Sequence, residues 1–420
     1  MSTGLQTGVE LEPASAPRRK ITLPIALLAI AVLLLLLALI RLVTGADDIA
    51  SSGTLGAAVA LAVPIGMAGL GGLWAERAGV VNIGLEGMMI LGTWGAGFAG
   101  YQWGAWAGVG FGIVCGALGG LLHALATVTF GVDHIVSGVA INILGIGAAQ
   151  YLAAVAFVGK PGGGSTQSPT IPDLPSLSVP GASKFLGDIE KKNWFYVSDI
   201  AAAVRAVTVN VSALTVIAIA LVIATYFILW RTAFGLRLRS CGENPVAAES
   251  LGVNVYKYKY YAVIASGAFA GLGGAFLAIV AASAYRDGQT GGRGFIGLAA
   301  MIFGNWRPGG LAAGAGLFGY TDALQLRRGG ESVHALLLVV AVALVAVAIL
   351  QFVRHRRVQA VVAAVFSVAF LLWFLTTDEV PSDFTGLTPY VTTLLVLALA
   401  AQRLRMPAAD GLVYRRGQGA

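Results

Sequence analysis

Charged residues are scarce in this chain of 420 residues, and this scarcity limits the class of protein it can be. Only 11% of the residues are charged, whereas 57% are hydrophobic. Soluble domains carry about 25% charged residues, so the composition excludes a single soluble globule and favours a polytopic membrane protein. The net charge of +7 does not indicate nucleic acid as a partner, because the basic residues lie mostly at the ends of apolar runs, where membrane topology explains them.

Cysteine and histidine are too few and too scattered to suggest a site. Cys115 and Cys241 are the only cysteines, and the four histidines have no metal-ligand spacing. The chain has no GxxxxGK[ST] loop, and the GxGxxG match at 314–319 lies in an apolar run with no strand before it. We therefore expect no metal, no ATP bound by a P-loop of this chain and no catalytic residues.

Glycine, in contrast, is abundant, with 57 residues. Several glycines recur every fourth position on apolar runs, which lets a neighbouring helix approach closely in lipid. These glycines are Gly108, Gly112, Gly116 and Gly120, followed by the pairs Gly267 and Gly271, and Gly310 and Gly314. We predict that they are helix-packing positions.

Apolar runs long enough to cross a membrane, roughly 20 residues, fill the region 22–403. The predicted passes lie near 22–43, 54–74, 85–101, 105–130, 133–158, 207–230, 259–282, 293–304, 309–326, 333–353, 358–377 and 387–402. The expected fold is an all-α polytopic membrane protein with about 10–12 transmembrane helices. The positive-inside rule places both tails, 1–21 and 404–420, in the cytoplasm.

The run 293–304 is too short to span upright, and Asn305–Gly309 interrupts it. The pair 293–304 and 309–326 is therefore predicted either to span or to re-enter as two half-helices within the bundle. The next turn, with Arg327 and Arg328, falls outside, which goes against the positive-inside rule. The long external segment 159–206 is either a landing surface for an external partner or a loop without a role.

The most polar long interruption of the apolar middle is the loop 231–258. Asn244 is a good N-cap, Pro245 suits the first helical position, and Gly252 can end a helix in the left-handed conformation. A helix this short is marginal alone in water. It is either part of an ordinary cytoplasmic loop or a lever held by a cytosolic partner.

Polar residues near membrane depth are the candidates for a translocation path. Asn82 and Glu86 occur in AERAGVVNIGLEGMM (75–89), and their four-residue spacing would place them on one helical face. Asn142 lies in VAINIL, and Asp322 could instead cap or pair near the outer surface. The alternative for Asn82 and Glu86 is an interfacial turn with solvated charges. The sequence has no row of buried carboxylates, which weakens a proton-driven mechanism.

Four stretches in order resemble the permease subunits of nucleoside-type ABC importers, a group that includes branched-chain amino acid and ribose-type sugar permeases. They are AERAGVVNIGLEGMMILG (75–92), RTAFGLRLRSCGENPVAAESLGVNV (231–255), GRGFIGLAAMIFGNWRPGG (292–310) and FGYTDALQLR (318–327). The resemblance covers roughly 54–326 and resumes at 387–399. Within it, 333–377 looks like an insertion of two helices, and the external loop is longer than usual at 181–198.

The resemblance implies a transmembrane permease of the cell membrane that is not itself an enzyme. Its implied partners are cytosolic ABC ATPase subunits, a second permease that is homologous or identical, and an extracellular substrate-binding protein. This chain would bind no cofactor, since its partner ATPase uses the ATP, and it would move nucleosides. Ribose-like sugars or branched-chain amino acids remain alternatives, as does a secondary carrier without an ATPase.

The resemblance also implies roles for particular residues. The stretch GENPVAAESLGV resembles a coupling helix that docks into the ATPase. The residues expected to carry coupling are Gly242, Glu243, Asn244, Pro245, Ala247 and Ala248. Those expected along the translocation path are Asn82, Glu86 and Asn142.

Overall fold

The chain folds almost entirely into α-helices. The computed structural model describes residues 23–381, 384, 391 and 404–417. Its helices are α1 (Leu23–Thr44), α2 (Ser52–Arg77), α3 (Leu85–Trp103), α4 (Ala105–Ala124), α5 (His134–Ala156), α6 (Ala182–Glu190), α7 (Val197–Thr208), α8 (Ala213–Arg231), α9 (Ala233–Glu243), α10 (Pro245–Ser250), α11 (Val255–Phe276), α12 (Arg293–Phe303), α13 (Pro308–Val353) and α14 (Arg357–Thr376). Single π-helical turns, Leu125–Thr129 and Leu277–Ala281, extend α4 and α11.

Seven helical stretches of the described residues are long and apolar enough to cross a membrane. They are Ser52–Arg77, Ala105–Thr129, His134–Ala156, Ala213–Arg231, Val255–Ala281, Val333–Val353 and Arg357–Thr376. The predicted all-α, multi-pass membrane protein is thereby confirmed. The side on which each terminus lies remains a prediction, and the predicted pass 387–402 lies outside the described residues apart from position 391.

The core lies where α2, α3, α4 and α11 meet, and glycines bring their backbones together. A Cβ added at Gly116 would lie 2.3 Å from the carbonyl oxygen of Gly267, and one at Gly120 would lie 2.5 Å from that of Val263. No side chain fits at such a distance, so α4 and α11 can pack this way only with glycine there. The predicted packing role of these glycines is confirmed.

Helix α13 corrects the predicted order of passes. We expected 309–326 and 333–353 to be separate passes joined by a turn at Arg327 and Arg328, but the structure has one helix of 46 residues. At 1.5 Å per residue it is about 69 Å long, more than twice the roughly 30 Å of a hydrocarbon core. Gly329 and Gly330 lower the helix propensity of this stretch, but it has no proline, so no backbone hydrogen bond is lost.

Helix α14 folds back along the second half of α13 and forms a hairpin with it. The Ser367 hydroxyl donates to the carbonyl oxygen of Ala341 at 2.8 Å. The ring of His334 stacks on Phe374 with 4.6 Å between centroids. We refer to Val333–Val353 together with α14 as the hairpin.

The segment between α5 and α8 is ordered and attached to the start of α2. Strand β1 (Ser176–Leu177) pairs antiparallel with β2 (Val211–Ser212), and α6 packs on α7. Glu190 accepts hydrogen bonds from Ser52 N at 2.9 Å and from Arg205 Nη1 at 2.7 Å. The predicted pass at 207–230 begins only at Ala213, because Ser212 ends β2 and caps α8.

Candidate functional site

The short helix α10 has the ends that its sequence predicts. The Asn244 side-chain oxygen accepts a hydrogen bond from Ala247 N at 3.0 Å, Pro245 occupies the first turn, and Gly252 has φ of +80°. These three features terminate the helix on both sides. Helix α10 is therefore a defined element between the spans α8 and α11.

The predicted coupling residues divide into a buried and an exposed set. Gly242 and Ala248 are buried, whereas Glu243, Asn244 and Ala247 are exposed and Pro245 is half-buried. Apolar side chains are also open to solvent here: Val246 is 40% exposed and Leu251 is 84% exposed. One side of α10 thus holds it to the protein and another is free to meet a partner.

Gly242, in the last turn of α9 and two residues before the N-cap of α10, packs against the end of α2. A Cβ at this position would lie 2.4 Å from the carbonyl oxygen of Arg77 and 2.9 Å from Gly79 N. Glu243 Oε1 also lies 3.8 Å from Arg77 Nη1. A push on α10 would therefore reach α2 through backbone contact.

Arg77 joins three segments at this end of the molecule. Its Nε and Nη2 donate to the carbonyl oxygen of Trp306 at 3.0 and 2.7 Å. Its guanidinium lies 5.3 Å from the centroid of the Trp230 ring, and the guanidinium of Arg239 lies 5.5 Å from the centroid of the same ring. The ends of α2 and α8 and the α12–α13 turn are therefore fastened to one another.

The stretch 78–84 between α2 and α3 is not helical, and polar side chains from other helices hold it. His123 Nε2 lies 3.0 Å from the carbonyl oxygen of Val81, and Val81 N lies 3.3 Å from His134 Nδ1. Lys259 Nζ donates to the carbonyl oxygen of Gly79 at 3.2 Å. These bonds supply hydrogen-bond partners for the backbone groups of Gly79 and Val81, which lie outside the helices.

Asn82 and Asn142 hold the end of this break. The Asn82 amide donates to Ser266 Oγ at 2.8 Å, and its oxygen accepts from Gly84 N at 3.1 Å. Asn142 donates to the carbonyl oxygen of Ile83 at 3.0 Å and accepts from Gly87 N at 2.8 Å. The prediction that Asn82 and Glu86 share a helical face is wrong, because α3 begins only at Leu85.

Glu86 caps the N-terminus of the short helix α12. Its two carboxylate oxygens accept hydrogen bonds from Gly292 N at 2.9 Å and Gly294 N at 2.6 Å. The N-terminal amides of a helix attract a negative charge, which favours this arrangement. Asp322, in the first half of α13, forms an ion pair with Arg293 at the start of α12, with 3.2 Å between Oδ2 and Nη2. This agrees with the pairing that we considered for Asp322 from the sequence.

The structure therefore brings Asn82, Glu86 and Asn142 together around a single break, where each is hydrogen-bonded to another helix. Their role along a path remains a prediction. Sequence analysis missed Ser266, the partner of Asn82, and Lys259, which holds the same break through the Gly79 carbonyl oxygen. The signal for Lys259 was a lysine at the start of an apolar run; Ser266 gave none.

This architecture is that of a multi-pass membrane protein with a short, partly exposed helix, α10, between the spans α8 and α11. Over residues 54–348 the sequence matches the family described as branched-chain amino acid transport system / permease component, and the chain belongs to this family. The match continues past 326 into the stretch 333–377 that we predicted as an insertion.

Curated relatives match most of the chain. The guanosine ABC transporter permease protein NupQ of Bacillus subtilis is 33% identical over 370 residues, 86% of this chain and 96% of that protein. The nucleoside ABC transporter permease protein NupC of Lactococcus lactis is 32% identical, over 84% and 93%. The putative glucose ABC transporter permease protein TsgC13 of Haloferax volcanii is 35% identical, over 66% and 78%. No solved structure matches the chain.

Proposed function

We propose that this chain is the transmembrane permease of an ABC importer that moves nucleosides into the cytoplasm of the cell. Separate ATPase subunits bind and hydrolyse the ATP, and they act on the chain through α10. The observation that carries the proposal is the capped, partly exposed helix α10, which lies between two spans and directly follows Gly242, the residue of α9 that contacts the end of α2.

The names of NupQ, a guanosine permease, and NupC, a nucleoside permease, support a nucleoside as the substrate. The present chain matches nearly the full length of both proteins. A nucleoside is neutral and polar, and a path with little net charge would suit it, as it would suit a sugar. The chain would work with a second permease, homologous or identical, and with an extracellular substrate-binding protein, to which the ordered segment 159–206 offers a surface. Neither a cofactor bound by this chain nor a nucleic-acid partner is part of the proposal.

A sugar is the second candidate, because TsgC13, which is 35% identical to this chain, is named as a putative glucose permease. Uptake of labelled nucleosides by cells with and without the chain tests the choice, with sugars and amino acids as competitors. We expect chain-dependent uptake that unlabelled nucleosides reduce. Competition by a sugar alone would overturn the nucleoside proposal and leave the family assignment intact.

Coupling through α10 is tested by the double variant Glu243→Lys, Pro245→Gly. It reverses a charge on the exposed side and removes the residue that favours the first helical turn. We expect weaker copurification with the ATPase from a protein that still inserts into the membrane. Unchanged copurification and transport would rule out α10 as the ATPase contact.

A further inference from the structure

The C-terminal stretch 404–417 runs across the end of the molecule that carries α10. It contains no helix and is held by its backbone at the start. The bonds there are Arg405 N to Asn305 Oδ1 at 2.8 Å, Ala408 N to Glu243 Oε2 at 3.3 Å and Ala409 N to the Gly242 carbonyl oxygen at 2.8 Å. The stretch therefore touches both the α12–α13 turn and the end of α9, immediately before α10.

The middle of this stretch reaches the core helices. Asp410 is only 7% exposed and faces Glu76 of α2 and Lys259 of α11. A Cβ added at Gly411 would lie 3.4 Å from a Val81 methyl group, within the break that follows α2. The stretch thus contacts both α2, with the break that follows it, and α11, two of the central helices of the bundle.

The last part of the stretch holds the far end of α10. Tyr414 is 8% exposed and packs with the buried residues Cys241, Ala248 and Val255. Arg416 Nε pairs with Glu249 Oε1 at 3.2 Å. Hydrogen bonding from Tyr414 and then Arg416 keeps the pKa of the Glu249 carboxyl below its usual value. The residues just before α10 and the second half of α10 are therefore attached to one continuous piece of chain.

We propose that 404–417 is a strap that fixes α10 to α2 and α11, so that an ATPase docked on α10 moves these helices with it. The strap is a positioning element: it acts through α10 and need not contact the substrate. This inference rests on the proposed function and adds a second connection from α10 to the bundle beside Gly242.

The arrangement favours a strap over a lid that must leave before the ATPase docks. Val246 and Leu251 remain exposed with the stretch in place, so the side of α10 that would meet a partner is uncovered. The buried contacts of the stretch, through Asp410 and Tyr414, lie instead on the side that faces the membrane helices.

The first test is Tyr414→Ala in the full chain, assembled with its ATPase. We expect substrate uptake per ATP hydrolysed to fall at least about fivefold, a typical lower value for coupling between sites, while hydrolysis continues. Tyr151→Ala, at a side chain that is 70% exposed on α5, is the matched control and should leave the ratio unchanged. An unchanged ratio for Tyr414→Ala would overturn the proposal.

The second test separates the strap from the lid. Cysteines introduced by Glu249→Cys and Arg416→Cys, in a Cys115→Ser and Cys241→Ser background, can be bridged by a short bifunctional maleimide. If the strap and α10 move as one body, the bridged importer retains the uptake of its unbridged form. Loss of uptake on bridging would show that the stretch must detach, and the strap would be wrong.

The two proposals can fail separately. If the unaltered chain copurifies with no ATPase, the proposed function fails and the strap fails with it. If it copurifies and transports, and Tyr414→Ala nevertheless preserves the ratio of uptake to hydrolysis, only the strap is overturned.

Discussion

The central helices and the hairpin are both apolar enough to lie in a membrane, yet they are packed in different ways. In the most apolar windows of α2 and α11, 61% and 72% of the residues are buried, against 17% in each arm of the hairpin. Helix α11 meets α4 by backbone contact at glycine, whereas the hairpin exposes large side chains such as Val345 and Val365. Hydropathy identifies membrane helices, but small residues and polar bridges determine which of them form the core.

The comparison predicts the largest effect for a side chain inserted between two central helices. Gly116→Val would push a branched side chain into the backbone of α11. Overpacking a well-packed core costs about 1–3 kcal/mol, occasionally more, and we expect the upper end because backbone cannot move aside easily. Thermal unfolding of the purified protein measures the loss.

The control is Gly110→Val on the same helix, since a Cβ there meets nothing within 4 Å. This variant should unfold close to the wild-type temperature. Equal losses from the two variants would mean that valine in place of a glycine of α4 is destabilising regardless of its neighbours, and the close contact would not be the cause.

A buried polar bridge of the core should give the next largest effect. Glu86→Ala leaves the amides of Gly292 and Gly294 without their acceptor. An unsatisfied buried group costs about 1–3 kcal/mol, and only the Gly294 bond is fully buried, so we expect a loss below that of Gly116→Val. Glu86→Gln retains one acceptor oxygen and should lose less. Unfolding temperature and uptake measure both variants; a Gln variant as impaired as the Ala variant would show that the negative charge matters more than the hydrogen bonds.

The corresponding change in the hairpin should be milder. Ser367→Ala removes one hydrogen bond to Ala341, which is worth about 1 kcal/mol. The alanine methyl group has no polar atom that would need a partner. We expect a small decrease in unfolding temperature and normal uptake. A loss as large as that of Glu86→Ala would contradict the difference between the two regions.

The smallest effect should come from pH, and it should act on the strap and not on the hairpin. Burial is the main cause that raises the pKa of Asp410 from 3.8 to about 7, while Glu76, Lys259 and Arg77 surround it. Between these two pH values the buried Asp410 carboxyl keeps its proton, whereas a free carboxyl has lost it. Docking of the strap is therefore strongest at low pH and weakens as the pH rises through about 7.

This effect is expected to be modest because only the upper part of the pKa shift of Asp410, which runs from 3.8 to about 7, lies above about pH 6. Unfolding temperatures at about pH 6 and about pH 8 measure it: the wild type should be more stable at the lower value. Asp410→Asn, which cannot ionise, should reduce the difference. A pH dependence that is the same in both proteins would assign the effect to other groups.

The sequence predicted well those features that depend on neighbouring residues. The ends of α10 follow from Asn244, Pro245 and Gly252, each of which acts within one helical turn. The glycine contacts followed from spacing on single helices. The start of α8 was placed too early, because the strand pairing before Ala213 involves residues more than 30 positions away.

Features that depend on distant residues could not be predicted. The partners of Asn82 and Glu86 come from α11 and α12, well over a hundred positions along the chain. The continuity of α13 depends on packing against α2 and α14, which the local RRGGE pattern does not contain. The strap has no periodic pattern at all, since its contacts are made by single residues of an irregular stretch.

The burial of Cys241 beneath Tyr414 gives the molecule a natural reporter. This thiol is 0% exposed, and burial raises its pKa to about 11, so little reactive thiolate is present at neutral pH. In a Cys115→Ser background, a maleimide that is slow on the protein with Tyr414 and fast after Tyr414→Ala would record detachment of the C-terminal stretch without any introduced cysteine. The same protection means that an unreactive Cys241 in whole cells says nothing about the side of the membrane on which it lies.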